Sequence, residues 1–141
     1  MTYCVGMVLD AGMVFLADSR TNAGVDQVST FRKVKVFEKP GERVIVLLSA
    51  GNLALTQGAT SILAERMAAQ EGESLNLSTC PNMFEAVRLV GEALREMHAR
   101  DYDALKSQGV DFNPSFIVGG QINARAWELL TTVRTDPKSL P

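Results

Sequence analysis

The chain lacks the residue patterns that mark secreted and metal-binding proteins. Only two of its 141 residues are cysteines, Cys4 and Cys80, and they belong to no CxxC pair, so no disulfide framework is expected. Its one histidine, His98, lies among charged residues of a predicted helix. We therefore expect neither a zinc site nor a scaffold held together by disulfides.

A strong charge imbalance and long apolar runs are missing as well. The 14 Lys and Arg residues are interspersed with 16 Asp and Glu residues, for a net charge of −2, which argues against nucleic acid or an anionic membrane as a partner. No basic region followed by an apolar core opens the chain, and the longest apolar runs, such as residues 44–48, fall far short of the roughly 20 residues of a membrane helix. The length fits one domain, and we expect a cytoplasmic protein.

What the sequence does contain is a series of short apolar strands in its first third. Residues 3–9 are apolar on both faces and predict a strand buried on both sides, which residues 10–12 (Asp-Ala-Gly) connect to a hairpin partner at residues 13–17. Residues 39–42 (Lys-Pro-Gly-Glu) predict a turn. The aliphatic run that follows, residues 43–49, suits a central strand covered on both faces.

Two helices and a further strand are predicted in the remainder. The first helix covers about residues 52–70, and the second begins near Asn82, whose side chain can cap the backbone three residues before Glu85. On the charged face of the second helix, Glu96 and Arg100 have the i, i+4 spacing of an ion pair. Residues 114–121 return to strand character. The residues predicted to face inward are Leu55, Ala59, Ile62, Leu63 and Met67 in the first helix and Met83, Val87, Val90, Leu94 and Met97 in the second.

Thr2 is the residue on which the functional prediction depends. If Met1 is removed, Thr2 carries both a hydroxyl nucleophile and a free α-amine, which titrates at about 7.7–8.0 against roughly 10.4 for a lysine side chain. Near neutral pH part of the amine is therefore unprotonated and can take the hydroxyl proton, directly or through a water. With Met1 retained the same nitrogen is an amide without useful basicity, so the chemistry exists only in the trimmed chain.

Four short motifs occur in order along the first third of the chain. Residues 2–6 read TYCVG, residues 16–24 read LADSRTNAG, residues 32–34 read RKV and residues 48–51 read LSAG. Taken singly, each fits an ordinary surface turn, edge lysine or loop glycine. Their order and spacing together resemble the β-subunits of the proteasome, which are N-terminal-nucleophile (Ntn) hydrolases. The amino-acid sequence of these segments is most similar to Anbu, the bacterial proteasome homologue also called ancestral β-subunit, and the resemblance extends over residues 2–121.

The resemblance implies an α+β fold, the αββα sandwich of Ntn hydrolases. The predicted strands and helices make up its first half only, with antiparallel sheets and two packed helices. Family members continue well past this length, with an additional serine and an aspartate–serine pair near the nucleophile. We therefore expect a partial proteasome-type domain at residues 1–123, truncated after about residue 121, and an atypical C-terminal tail at residues 124–141. The missing half predicts that the strand at residues 114–121 and one sheet are partly uncovered, with exposed apolar surface.

The resemblance also assigns the catalytic residues of a threonine-type endopeptidase. Thr2 is the nucleophile, and Lys33 places an ammonium near its oxygen, which favours the anionic form. Asp18 corresponds to the aspartate that pairs with that lysine. The backbone N–H of Gly51 matches the family's donor to the oxyanion of the reaction. No metal or organic cofactor is implied.

For the substrate, the resemblance implies an extended peptide or unfolded protein that adds as a strand between two backbone edges. The matching edges are Thr21 with Asn22 and Ser49 with Gly51. The side chains of Thr21, Ser49 and Leu53 would line the pocket next to the cleaved bond, which suggests a mid-sized, moderately apolar pocket. The implied partners are identical subunits in a ring or an open helical assembly, with an unfoldase as a further candidate.

Two other functions are compatible with the sequence. One is a non-catalytic or truncated proteasome-like assembly subunit without hydrolase activity, which the truncation favours and the intact nucleophile motif argues against. The other is an unrelated small α+β binding module in which Thr2 occurs by chance. Labelling of Thr2 separates the first of these from the peptidase.

Overall fold

The computed structural model describes residues 2–22, 28–69, 74–123 and 128–134. Within these ranges the chain forms strands, then two helices, then two further strands. The elements are β1 (Cys4–Leu9), β2 (Gly12–Ala17), β3 (Arg20–Asn22), β4 (Val28–Thr30), β5 (Val34–Lys39), β6 (Arg43–Ala50), α1 (Leu53–Ala68), α2 (Met83–Ser107), β7 (Ser115–Ile122) and β8 (Glu128–Arg134).

The centre of the fold is an antiparallel four-stranded sheet in the order β5-β6-β7-β8. The turn predicted between β5 and β6 is present: the Glu42 N–H donates to the Lys39 carbonyl at 3.0 Å, and Gly41 supplies a positive φ of 78°. The aliphatic run of β6 occupies an interior position in the sheet, and its four middle residues are buried. The prediction of a central strand covered on both faces is confirmed.

Helices α1 and α2 pack on one face of this sheet and form the main hydrophobic core with it. Ile45 and Leu47 of β6 and Val118 of β7 are fully buried there, and Leu63 of α1 and Leu94 of α2 belong to the same cluster. The inward stripes predicted for the two helices are confirmed in outline, although Ile62, Met67 and Val87 are only partly buried at the edge of the cluster.

Both helix starts follow the capping chemistry of asparagine. The Asn52 side chain accepts hydrogen bonds from the backbone of α1, and the Asn82 side chain accepts from the Glu85 N–H at 2.9 Å, as predicted. Helix α1 ends two residues before the predicted limit of residue 70. The predicted Glu96–Arg100 pair is wrong, because Glu96 instead accepts a 2.8 Å hydrogen bond from Arg66 across the two helices.

The hairpin of β1 and β2 covers the opposite face of the sheet. Gly119 of β7 makes room for it, since a Cβ at that position would lie 2.7 Å from the ring of Phe15. The outward face of the hairpin is apolar and open: Met7 is 45% exposed and its cross-strand partner Val14 is 43% exposed. The prediction that β1 is buried on both sides is therefore wrong, and the prediction of exposed apolar surface on one sheet is confirmed.

The strand at residues 114–121 was expected to be partly uncovered, and this expectation is wrong. It corresponds to β7, which lies between β6 and β8 and is largely buried. Strand β8 falls inside the segment predicted as an atypical tail, and it extends the sheet by antiparallel pairing with β7. The division of the chain at residue 123 stays a prediction.

Candidate active site

Lys33 lies directly before β5 and is only 7% exposed. Its ammonium donates hydrogen bonds to three oxygens: the Thr2 hydroxyl at 3.2 Å, the Asp18 carboxylate at 2.8 Å and the Arg20 carbonyl at 2.7 Å. A lysine ammonium has three N–H donors, so these contacts satisfy all of them. The Lys33 side chain is thus held in one orientation, with its charge directed at the Thr2 oxygen.

Asp18 follows β2 and joins the start of the chain to Lys33. One carboxylate oxygen accepts from the Tyr3 N–H at 2.7 Å while the other pairs with Lys33, and the Asp18 N–H donates to the Tyr3 carbonyl at 3.0 Å. The hydrogen bond from Lys33, followed by that from Tyr3, holds the pKa of Asp18 below its usual range. The carboxylate therefore stays ionised and supplies the counter-charge for the ammonium.

The end of β6 forms the opposite wall of the site. The Ser49 N–H and hydroxyl both donate to the Lys33 carbonyl, at 2.9 and 3.3 Å. The Cys4 thiol donates to the Ser49 carbonyl at 3.6 Å, which connects β1 to the same point. Burial, and then the nearby Asp18 charge, raise the pKa of the Cys4 thiol, so it remains a neutral thiol beside Thr2 at neutral pH.

Gly51 adopts a conformation that a side chain would not tolerate. Its φ is +92°, and a Cβ added there would lie 2.0 Å from the Asn113 carbonyl oxygen. The Asn113 side chain in turn accepts a hydrogen bond from the Asn52 N–H at 3.0 Å, so the loop before β7 braces the turn that carries Gly51. Sequence reasoning missed Asn113: the Asn-Pro pair at residues 113–114 marks a turn, but nothing in it indicates a contact 61 residues back along the chain.

A cavity of about 670 Å³ opens in front of these groups. It contains six of the eight residues predicted for the site, namely Thr2, Thr21, Lys33, Ser49, Gly51 and Leu53. Asp18 is not part of the lining and lies behind Lys33, which it contacts, and Asn22 belongs to β3, which pairs with β4. The lining that the sequence did not indicate consists of Arg20, Ala50, Asn52, Thr56, Val110, Asp111 and Asn113.

Thr21 is also the site of an unsatisfied polar group. Its hydroxyl oxygen is buried and has no hydrogen-bond partner in the part of the chain that the structure describes. A buried hydroxyl without a partner loses the hydration it has in the unfolded chain, which is unfavourable. Thr21 is among the residues that line the cavity, but its hydroxyl oxygen is not accessible from it.

The described residues offer neither a cluster of metal ligands nor a membrane-spanning helix. Among the described residues, no group of three or more His, Cys, Asp and Glu side chains is placed to share a metal ion, and no helix has the length and apolar character to cross a bilayer. His98 packs in the core region instead: its ring stacks on Tyr102 at 4.4 Å between centroids and meets Phe112 edge-on at 4.7 Å.

Comparison with solved structures places this arrangement among known folds. An Anbu (Gly-1) mutant from Hyphomicrobium sp. strain MC1 is 39% identical and superposes with a TM-score of 0.81, over 99% of this chain and 58% of that chain. Anbu (ancestral β-subunit) from Yersinia bercovieri is 40% identical with a TM-score of 0.79, over 96% of this chain and 56% of that one. This chain belongs to the Anbu family.

A third Anbu structure, described as the helical assembly of the Anbu complex from Pseudomonas aeruginosa, is 40% identical with a TM-score of 0.80, over 97% of this chain and 57% of that one. The chain thus spans rather more than half the length of the Anbu chains it matches, and its fold is a partial Anbu-type Ntn-hydrolase fold. The likeness covers almost the whole chain, beyond the limit at residue 121 expected from the motifs. No protein-family model and no curated protein sequence matches the chain.

Membership of the Anbu family decides one of the alternatives left open by the sequence. An unrelated α+β binding module with a chance Thr2 does not account for about 40% identity and a shared fold over nearly the full chain. That alternative is wrong.

Proposed function

We propose that this Anbu-family chain, once Met1 is removed, is a threonine-type Ntn peptidase that hydrolyses peptide bonds. The observation that carries the proposal is the 3.2 Å hydrogen bond between the Lys33 ammonium and the Thr2 hydroxyl oxygen, at the edge of an open cavity. A fixed positive charge at that distance stabilises the developing negative charge on the threonine oxygen. Membership of the proteasome-like Anbu family supports the same chemistry.

In the proposed reaction, the Thr2 hydroxyl attacks the carbonyl carbon of the substrate and its proton passes to the α-amine of Thr2, directly or through a water. Lys33 acts as a fixed cation, since all three of its N–H donors are already engaged and it has no lone pair to offer while protonated. Asp18 supplies the counter-charge that keeps Lys33 in place.

The negative charge that develops on the substrate oxygen is met by the backbone N–H of Gly51, a contribution typically worth about 2.7–4 kcal/mol. Collapse of the tetrahedral intermediate breaks the C–N bond, and the α-ammonium returns its proton to the leaving amine. This leaves an ester between the acyl group and Thr2. Water then attacks the ester with the α-amine again as base, which releases the acid and restores the hydroxyl.

The substrate in this proposal is an extended peptide held by backbone hydrogen bonds. One edge is β3, with Thr21 and Asn22, and the other is the end of β6, with Ser49 and Gly51; Leu53 lines the cavity between them.

Covalent labelling of Thr2 tests the proposal. The full chain is prepared with Met1 removed, verified by intact mass, and treated with a threonine-directed β-lactone, for which we expect a single adduct on Thr2. Thr2→Ala should give no adduct, while the matched variant Thr30→Ala, at an exposed threonine on β4, should be labelled as the parent chain is. An adduct on the Thr2→Ala chain, or none on the trimmed parent chain, would contradict the assignment and favour a non-catalytic assembly subunit.

We also propose that copies of this chain associate with one another. The support is the helical assembly described for the Anbu complex of Pseudomonas aeruginosa, together with the exposed apolar face of the hairpin. Light scattering on the eluting protein should give a multiple of the chain mass, and a monomer at all concentrations would contradict it. An unfoldase partner and a cytoplasmic location stay predictions from the sequence.

A further inference from the structure

A second cavity lies beside the first, between the sheet and helix α1. Its volume is about 380 Å³, and it shares Lys33, Ser49 and Thr56 with the cavity that contains Thr2. The two spaces therefore meet at three residues, one of which, Lys33, contacts the Thr2 hydroxyl. Nothing in the proposed chemistry uses this second cavity.

The sheet side of the second cavity carries lysines where a core strand would carry apolar residues. The register of β5 with β6 pairs Lys35 with Leu47 and Phe37 with Ile45, so these four side chains share one face of the sheet. That face packs on the helices: Phe37 is 6% exposed and Leu47 is fully buried. Lys35 thus points toward α1 and the cavity, whereas Val36 on the other face is 48% exposed.

The charges that line the second cavity are all positive. They come from Arg32, Lys33 and Lys35, and no carboxylate of a described residue is part of the lining. Asp18 compensates Lys33, but Arg32 and Lys35 have no ion-pair partner among the described residues. Two exposed cations without an ion-pair partner among the described residues therefore line one recess, with the Lys35 ammonium 5.9 Å from the centre of the Phe37 ring.

The helix side of the cavity offers hydrogen-bonding groups and little bulk. Gln57, Thr60, Ser61 and Ala64 recur at intervals of three and four residues, so they form one stripe along α1. Small and hydroxyl side chains leave room for a side chain of several atoms. An acidic group entering there would meet cations on one side and the Gln57 amide and the Ser61 hydroxyl on the other, whereas the Thr60 hydroxyl donates to the Thr56 carbonyl of its own helix.

We propose that this cavity receives the side chain of the substrate residue that precedes the cleaved bond, and that Arg32 and Lys35 select an acidic side chain there. The inference rests on the proposed peptidase function. A residue whose carbonyl carbon is at the Thr2 oxygen carries its side chain only a few ångströms away, and this cavity is lined by Lys33, whose ammonium contacts that oxygen. The pocket so defined differs from the moderately apolar one expected from the sequence.

An edge-protecting role would also place lysines on β5, because this strand lies at the border of the sheet. The two explanations separate at Lys39, on the same strand, which pairs with Glu42 in the turn to β6 and does not line the cavity. If the lysines only protected the sheet edge, replacing Lys39 and replacing Lys35 would have the same effect on the preference among substrates. Acid selection requires Lys35 and is indifferent to Lys39.

Hydrolysis of three fluorogenic peptides tests the proposal. The peptides are identical apart from a Glu, a Gln or a Leu directly before the fluorophore, and kcat/KM is measured on the full chain lacking Met1. We expect Glu to exceed Gln by about tenfold or more, since a charged hydrogen-bond partner is lost in the amide. The double variant Arg32→Gln, Lys35→Gln should bring the two within about threefold, whereas Lys39→Gln should keep the preference. Equal rates on Glu and Gln in the parent chain, or an unchanged preference in the double variant, would overturn the assignment.

A binding measurement separates this inference from the peptidase proposal. The same peptides are titrated calorimetrically into the full-length Thr2→Ala chain, with urea denaturation as a check that each variant is folded. Tighter binding of the Glu peptide that depends on Arg32 and Lys35 supports the proposed pocket for acidic side chains even if no peptide is hydrolysed. Equal affinities for the Glu and Gln peptides refute the pocket even if Thr2 is labelled.

Discussion

Replacing Gly51 by alanine should damage both the stability of the fold and the reactivity of Thr2. The φ of +92° is unfavourable for any residue with a Cβ, at about 1–2 kcal/mol. The new methyl group would also lie 2.0 Å from the Asn113 carbonyl oxygen, whereas non-bonded heavy atoms settle at about 3.5 Å. The loop at Asn113 would therefore have to move by roughly 1 Å or more.

This displacement has a calculable cost. Relief of a backbone clash of this kind typically costs about 1–3 kcal/mol, and loss of the Asn52–Asn113 hydrogen bond adds about 1 kcal/mol. With the conformational strain, we expect Gly51→Ala to lower the free energy of unfolding by about 3–6 kcal/mol, a large part of the 5–15 kcal/mol of an ordinary domain. A shift of about 1 Å in the Gly51 N–H should slow β-lactone labelling of Thr2 by up to about 100-fold.

Gly41→Ala is the matched control. Gly41 also has a positive φ, at 78°, but a Cβ there meets nothing within 4 Å. Gly41→Ala should lose only the stability that corresponds to the conformational strain, about 1–2 kcal/mol, and should keep the parent rate of labelling. The measurements are urea denaturation followed by circular dichroism and the rate of adduct formation by mass spectrometry. If the two variants are equally destabilised and label equally fast, then Asn113 does not brace Gly51 as described.

Two further predictions concern the supports of the site. Asp18→Asn keeps an oxygen for the Tyr3 N–H but removes the charge beside Lys33, so labelling of Thr2 should slow by about tenfold or more. Because the folded-state pKa of Asp18 lies below its ordinary 3.8, its contribution to stability is present above that pH and is lost as the pH falls through the lowered pKa. The difference in unfolding free energy between the parent chain and the variant should therefore be largest at neutral pH and should disappear in acid. A difference that persists unchanged in acid would contradict this. Asn113→Ala should cost about 1 kcal/mol in urea denaturation and slow labelling, and Asn113→Asp, which keeps the acceptor for Asn52, should restore both; failure of Asn113→Asp to do so would speak against the hydrogen bond as the cause.

Features governed by neighbours in the sequence were predictable in detail. The cap at Asn82, the turn at Gly41 and the aliphatic run of β6 each depend on a few consecutive residues, and each is present as expected. The same holds for the hairpin of β1 and β2, whose turn was indicated by Gly12, with a φ of 141°. Local backbone preferences and short hydrophobic runs carry this information.

Features that depend on distant contacts were the ones missed. Glu96 is drawn to Arg66 on the other helix, because packing of α1 against α2 brings the two within reach while sequence spacing favours Arg100. Asn113 contacts the turn of Gly51 across 61 residues. The exposure of β1 likewise depends on whether another element packs on the outer face of the hairpin. An apolar strand has the same sequence pattern whether that face is covered or open.

The candidate site shows the same division. That Thr2, Asp18 and Lys33 meet was expected from a resemblance, and no local pattern would have placed a residue near position 2 against one near position 33. The resemblance carried no information about Arg32 and Lys35 as the walls of a second recess. Their role emerged from the register of β5, which turns Lys35 toward the helices.

The attachment of Tyr3 to Asp18 has a consequence for maturation of the chain. Excision of Met1 cuts the peptide bond on the amino side of Thr2, whereas both hydrogen bonds to Asp18 are made one residue later, on the carboxyl side. The hydrogen bonds between Tyr3 and Asp18 therefore still hold the chain next to the new terminus, and the cut can free the α-amine of Thr2 without releasing Thr2 from its position. A precursor and its product would share one geometry and differ only in whether a base is present.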